Sequence, residues 1–362
     1  MFLVDKYAPK KIQDSLFHKP ELQILEKMAH DDQIPHTLFY GPDGVGKKTL
    51  IKLFLEMIYD EQVNKLNDSI YEVSGSGNKK TQVAIKQSNY HIIIEPNNNN
   101  FDRYLIQDVV KEYAKKVPLN VFTSHRTFKM VLINNVDNLS YYAQTSLRRT
   151  MEKYSGTCRF IMWSRSLSRV IDPIRSRCYC FRINTPNNSQ LFDMIADISF
   201  KESIKLSLTD YNEILDSSKG NIKKVLWMLQ FKKIHQDYIN DLLLKNEKGV
   251  PVENVMDVKK IYNTSFDDAI NEIVELILQK NIGLISKIRD SSYDIMITNI
   301  PGTKIIRSII EKLLQSDLTE KCKSAIPEVV ARFEHHLIRG RREIIHLEAL
   351  FQSIIYIIHS NS

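Results

Sequence analysis

The sequence predicts a chain in three parts. Residues 1–185 read as an α/β unit with a mostly parallel sheet flanked by helices, 186–240 as a small helical unit, and 241–362 as an all-helical region. Three observations carry this. Short apolar runs alternate with stretches of helical spacing up to about residue 183, the pattern of a sheet covered on both faces. A glycine-rich turn sits between one such run and one such stretch. Beyond Pro186-Asn187-Asn188-Ser189, which reads as a linker, only helical patterns follow.

Taken in order, Thr37-Leu38-Phe39-Tyr40 is a short apolar strand, and Leu50, Ile51, Phe54, Leu55 and Ile58 then recur at helical spacing. Residues 81–95 predict two strands joined by a Ser-Asn turn, and Asn97–Asn100 a polar break. Arg103–Lys116 has the spacing of an amphipathic helix, with basic residues at its end and Pro118 just beyond. Phe128–Ile133 predicts a buried strand, Ser140–Tyr154 a helix opened by serine, and Arg159–Ser164 another strand. Ser168–Arg175 predicts a short helix and Tyr179–Ile183 the last strand. Helices are then expected over Leu191–Glu202, Tyr211–Ser217 and Ile222–Lys233. Apolar stripes follow at Ile270, Ile273, Val274, Leu276 and Ile277, and at Ile344, Ile345, Leu347, Leu350, Phe351 and Ile354.

The formal charge of +7 fits either a lysine-rich solvated surface or contact with a polyanion. Four scattered cysteines, Cys158, Cys178, Cys180 and Cys322, make no disulfide framework and no zinc spacing, so a reducing compartment is expected. The opening residues meet charge at once and no run of about eighteen apolar residues occurs, so neither a secretory leader nor a membrane span is expected.

Gly41-Pro42-Asp43-Gly44-Val45-Gly46-Lys47-Lys48-Thr49 fits the phosphate-binding pattern G-x-x-x-x-G-K-[ST] except at its last position. Its glycines free backbone N–H groups to face phosphate oxygens at a helix amino end, and Lys47 adds a charge. Lys48 stands where a hydroxyl would ligate Mg²⁺, which leaves the metal in question. Hydrolysis also needs a carboxylate beside the phosphates. The strand Met130–Ile133 ends instead in Asn134-Asn135, whose neutral amides are no general bases and poor Mg²⁺ ligands. Asp137 falls past the strand end. The reading is a site for ATP or ADP with its catalytic parts degenerate and no confident metal ligand.

Four stretches resemble replication factor C small subunits, the AAA+ subunits of the sliding-clamp loader. They are Val4-Asp5-Lys6-Tyr7-Ala8-Pro9-Lys10, Pro35–Pro42, Ser146–Tyr154 (SLRRTMEKY) and Ile171–Cys178 (IDPIRSRC). They cover the first half of the chain in the family's order; Gly340–Phe351 resembles the last helix of its collar. The resemblance implies an AAA+ P-loop domain, a helical lid and a collar that oligomerises. It implies a hetero-pentamer with other such subunits, a sliding clamp and primer–template DNA as partners, and no membrane. The expected setting is the nucleus, or a viral replication compartment if a virus encodes the chain. Nucleotide contacts are implied for Val4, Tyr7, Pro9, Gly41, Gly44, Val45, Gly46, Lys47, Lys48, Thr49 and Lys223.

Within the family, the Gly-Lys-Lys-Thr ending resembles the end-of-ring subunit that does not hydrolyse ATP. Arg165 stands where the family has its sensor-1 asparagine, Lys223 at the sensor-2 arginine and Ala8 at an arginine of the opening box. Arg177, in the intact Ser176-Arg177-Cys178, is implied to reach the neighbour's γ-phosphate. Arg103, Lys111 and Arg169 are implied DNA contacts. Two other readings stay open. A hydrolytic ATPase would need Asp137 and Thr49 to replace the missing groups, and a stand-alone basic DNA-binding protein would use the nucleotide site as a relic.

Overall fold

The computed structural model describes residues 1–31, 33–74, 80–96, 102–115, 128–245, 265–279, 282–298, 300–339 and 342–360. The asparagine tetrad, Pro118 and the first part of the 241–362 region, from 246 to 264, lie outside the described residues. The chain divides into two compact units, Met1–Val250 and Pro251–Ser362.

In the first unit, α1 (Leu3–Lys6) and α2 (Lys19–His30) precede β1 (Thr37–Tyr40) and α3 (Lys47–Tyr59). Then come β2 (Asn67–Ser74), β3 (Lys80–Gln87) and β4 (His91–Ile94). One helical stretch follows, made of α4 (Asp102–Leu105), a π turn (Ile106–Val110) and α5 (Lys111–Lys115). β5 (Lys129–Ile133), α6 (Tyr141–Lys153), β6 (Cys158–Ser164), α7 (Asp172–Arg175) and β7 (Tyr179–Arg182) complete the α/β part.

The sheet order is β2-β3-β4-β5-β6-β1-β7. β4, β5, β6, β1 and β7 pair in parallel, while β2 and β3 add an antiparallel hairpin at the β4 edge. Because side chains alternate along a strand, β1 sends Leu38 to one face and Phe39 to the other. On the first face, Leu38, Ile92, Val131, Phe160 and Met162 pack with Ile106, Val109, Val110, Leu147 and Met151. On the second, Phe39, Met130, Leu132, Ile161 and Phe181 pack with Leu22, Leu25, Ile51, Phe54 and Leu55. Both faces are covered, as the parallel pairing requires.

Four local expectations change. β2 has no counterpart in the sequence reading; Asn67–Ser74 (NDSIYEVS) carries polar residues at most positions, as an edge strand can. The helix expected over Ser168–Arg175 is a 3₁₀ turn (Leu167–Arg169) and the separate α7. Pro173 falls in the first turn of α7, where proline is tolerated, and the N-cap Ile171 ahead of that turn is extended. The linker at 186–189 is shorter than it reads, because Asn187 caps α8 (Asn188–Lys201), its N–H donating to Gln190 Oε1 at 3.0 Å. After α9 (Leu208–Ser218), α10 runs from Ile222 to Lys245. It passes the expected boundary at 240 because residues 234–245 hold neither glycine nor proline.

The second unit holds α11 (Ser265–Leu278), α12 (Ile285–Ile297), α13 (Gly302–Gln315), α14 (Glu320–Arg339) and α15 (Glu343–Ser360). Ile270, Ile273, Ile288, Ile305, Ile309, Ile326, Leu347, Phe351 and Ile354 form its core. Glu343 Oε2 accepts the N–H of Gly302 at 2.9 Å, satisfying the amino end of α13 from α15. No described helix is long and apolar enough to cross a membrane.

Candidate nucleotide site

The loop between β1 and α3 turns through three left-handed glycines, Gly41, Gly44 and Gly46. At Gly44 (φ +75°) a Cβ would fall 1.8 Å from Asn221 Oδ1, so only glycine lets the loop approach the start of α10. A Cβ at Gly46 (φ +95°) would meet nothing within 4 Å, so the loop is open on that side. Behind it lies a cavity of about 880 Å³, bounded by the 2–10 arm, this loop, α8 and the start of α10. Val4, Tyr7, Pro9, Gly44, Val45, Gly46, Lys47, Lys48, Thr49 and Lys223 line it, as does Ala8; Gly41 sits at the loop's entry.

Lys47 is buried and donates to the carbonyls of Gly41 and Pro42, both at 2.6 Å. Burial lowers its pKa; the charges of Asp43 and Asp137 oppose that and Arg165 reinforces it. Its ammonium and that of exposed Lys48 lie 5.2 and 5.4 Å from the Trp163 ring centre. Trp163, near the end of β6, donates to Asn134 Oδ1 at 2.8 Å, and Asn134 Nδ2 donates to Glu95 Oε1 at 2.7 Å. The amide at the end of β5 is thus engaged on both sides. Asn135 follows in a left-handed conformation (φ +48°), turning the chain into the 3₁₀ segment Val136–Asn138. There Asp137 is buried, its Oδ2 accepting from Arg165 Nε at 3.3 Å while Oδ1 has no hydrogen-bond partner.

This donor set does not fit Mg²⁺. An ammonium occupies the hydroxyl position, Asn134 is committed to Trp163 and Glu95, and Asp137 is paired with Arg165. Among the described residues no three His, Cys, Asp or Glu side chains gather as a metal site. The nucleotide is a different matter: glycines, a buried lysine, the amino end of the 13-residue α3 and a roomy cleft suit a polyphosphate joined to a base.

Arg177 lies away from this cleft, exposed after α7. Nη1 donates to Pro173 O at 2.9 Å, and Nη2 pairs with Glu152 on α6 at 2.7 Å. Arg103 and Arg169 are both exposed beside the amino end of α6. The Arg103 guanidinium lies 5.9 Å from the Tyr142 ring centre, and the Arg169 carbonyl accepts from Gln144 Nε2 at 3.0 Å. Lys111 is exposed further along the stretch that begins near Arg103.

Sequence reasoning missed Trp163, Glu95, Asn221 and His18. His18 precedes α2 in a left-handed conformation, and its Nε2 lies 2.9 Å from the Val45 carbonyl. A tryptophan near the end of a parallel core strand was the one local signal. The rest become site residues only through contacts distant in sequence.

A parallel sheet of this order, with a glycine loop after β1 and helices closing over it, defines an AAA+ module. Residues 17–187 match the family model described as DNA polymerase III, delta subunit, and residues 267–362 match that of the replication factor C subunit 3 C-terminal domain. A replication factor C small subunit of Acanthamoeba polyphaga mimivirus is 37% identical over 98% of this chain and 90% of its own. Subunit 5 of Oryza sativa is 31% identical over 96% of this chain and 95% of its own, and subunit 3 of Homo sapiens 31% over 96% and 93%. Among solved structures, a RuvB variant of Thermotoga maritima covers 74% of this chain and 80% of its own at a TM-score of 0.46 and 14% identity. The chain belongs to the family of replication factor C small subunits.

Proposed function

We propose that this chain is the end-of-ring subunit of a replication factor C-like clamp loader, holding nucleotide with little turnover and serving its neighbour's site. One observation carries the reading: Asn134 stands at the end of β5 where a carboxylate is needed, fixed by hydrogen bonds to Trp163 and Glu95. Asp137, the carboxylate a self-sufficient ATPase would need, is held by Arg165.

ATP or ADP would lie with its phosphates against Gly44–Thr49 and its base toward the arm, between Val4, Tyr7 and Pro9 and the start of α10 at Lys223. Lys47 would leave the two loop carbonyls for the phosphates. Bound nucleotide stabilises the folded and assembled state by linkage.

Arg177 is the group offered outward. Its pairing with Glu152 is half exposed, and such surface pairs contribute about 0–1 kcal/mol, so a neighbour's phosphate can compete for it. A guanidinium stays charged at all working pH and suits phosphoryl transfer. Arg103, Lys111 and Arg169 would follow the phosphate backbone of primer–template DNA without reading bases. The partners are the other subunits of a hetero-pentamer, the sliding clamp and that DNA. The place of action is the nucleus or a viral replication compartment, in keeping with both eukaryotic and viral relatives.

The test is Arg177→Ala in the assembled complex. DNA-stimulated ATPase should fall by at least about tenfold, since a trans arginine finger contributes on the order of 10³–10⁵ in rate to its site. Subunit stoichiometry should not change. An unaltered rate would remove Arg177 from the neighbour's site.

A further inference from the structure

Residues 2–8 form one wall of the cleft, yet they hold only the four-residue α1, which is too short to stand by itself. Leu3 is buried, and the rest of the arm is held by a single carboxylate at the end of α8. Glu202 Oε1 accepts from Lys6 Nζ and from Tyr7 Oη, both at 2.6 Å, and Oε2 accepts from Lys233 Nζ of α10 at 2.7 Å. Its side chain is 5% exposed. The arm makes two further contacts, both on α10. The N–H of Leu3 donates to Gln230 Oε1 at 2.9 Å, and the rings of Phe2 and Trp227 lie 5.3 Å apart.

We infer that Glu202 is a positioning residue for nucleotide, a clasp that joins the arm, α8 and α10 and so sets the wall against which the base end of the ligand rests. The inference rests on the nucleotide reading of the cleft and deepens it. Tyr7 and Lys6 line the cavity from the arm, Asp197 and Lys201 from α8, and Lys223 and Leu226 from α10. Glu202 touches two of these walls and ends the third. Without its negative charge, the ammonium groups of Lys6 and Lys233 face each other with no counter-ion, and the arm keeps only the contacts of Phe2 and Leu3. The phosphate loop has no bond to Glu202, so its grip is independent of the clasp. The side chain's state agrees: hydrogen bonds from Lys233, Lys6 and Tyr7 hold the Glu202 carboxyl at about 2, while burial and the carboxylate push the Tyr7 phenol up to about 12.

The test separates the base end from the phosphate end. The full-length chain and its Glu202→Gln and Glu202→Ala variants are titrated by calorimetry with ATP and with inorganic tripolyphosphate. Hydrogen bonds to a charged group are among the stronger ones, so ATP affinity should fall about tenfold or more while tripolyphosphate affinity stays within about twofold. Should Glu202→Ala fail to fold, Tyr7→Phe removes one donor and should give the same selective loss on a smaller scale. Unchanged ATP affinity in folded variants overturns the clasp. So does equal loss for both ligands, because that marks a residue that only supports the fold. A wild-type chain that binds neither ligand sinks the nucleotide reading itself, and is thereby distinguished from failure of the clasp alone.

Discussion

On the proposed reading Asn134 is the residue on which catalysis turns, and its surroundings argue that acid restored there gives no enzyme. Its Nδ2 donates to Glu95 at 2.7 Å. In Asn134→Asp that donor becomes a carboxylate oxygen set against another carboxylate, while Lys48 still occupies the hydroxyl position and Arg165 still holds Asp137. The double variant Asn134→Asp, Asn135→Glu should therefore gain no more than trace ATPase as a lone chain. It should also lose about 1 kcal/mol of stability with the hydrogen bond, a modest figure because Glu95 is exposed. A phosphate-release assay beside a thermal melt checks both. Turnover at the rate of a working AAA+ subunit would show that Lys48 and Arg165 are no obstacle. Adding Glu95→Gln should recover part of the stability and none of the activity.

At the scale of elements, β4 carries a buried imidazole and the entry to β1 a half-buried one. His91 opens β4 with its Nδ1 2.7 Å from Ser88 Oγ, and His36 Nδ1 accepts the N–H of Phe160 at 3.1 Å. Burial lowers both pKa values from 6.5 to about 4, helped at His36 by the charge of Arg159. Both rings are thus neutral in the folded sheet at pH 5, whereas in the unfolded chain they are mostly charged. The unfolded chain binds the extra protons below pH 6.5, so stability present at pH 7 is lost as pH falls from 6.5 toward 4. Each imidazole accounts for on the order of 1–2 kcal/mol of that loss at pH 5. His91→Gln, which does not titrate, should show a smaller drop in melting temperature between pH 7 and pH 5 than the wild type; equal drops would refute the assignment.

The same elements show what could be read in advance. β1, β5 and β6 are short apolar runs with nothing else to become, and the Gly41–Gly46 turn is legible because only glycine takes its backbone. β2 escaped because NDSIYEVS is polar at most positions, without strand alternation, and is fixed by pairing with β3. Lys47, Asn134 and Arg177 were visible in local motifs. Glu202 was not: its partners Tyr7 and Lys233 stand 195 and 31 residues away, and only folding brings them to one carboxylate. Trp163 likewise reads as core until Asn134 and the two lysines are seen around it.

For the whole molecule, the decisive question is whether residues 251–362 build the ring or merely accompany the nucleotide-binding unit. Among the described residues, the core from Ile270 to Ile358 is built from residues 266 onward, and both cores of the sheet lie between Leu22 and Ile183 apart from the flanking Ile12. Each unit buries its own apolar surface and has what it needs to fold alone. The second unit nevertheless leaves Tyr293, Ile297, Ile345 and Tyr356 exposed, Ile297 at 77% and Tyr356 at 73%. Large apolar side chains left in water across several helices suit contact with further subunits. A chain ending at residue 250 should then stay folded, melt cooperatively and bind ATP within about threefold of the full-length protein, a difference under about 1 kcal/mol. It should fail to co-purify with partner subunits on co-expression. If the shortened chain still enters the complex at full stoichiometry, assembly lies in the first unit. If it binds no nucleotide while folded, the cleft draws on residues beyond 250, and the independence argued from the separate cores is wrong.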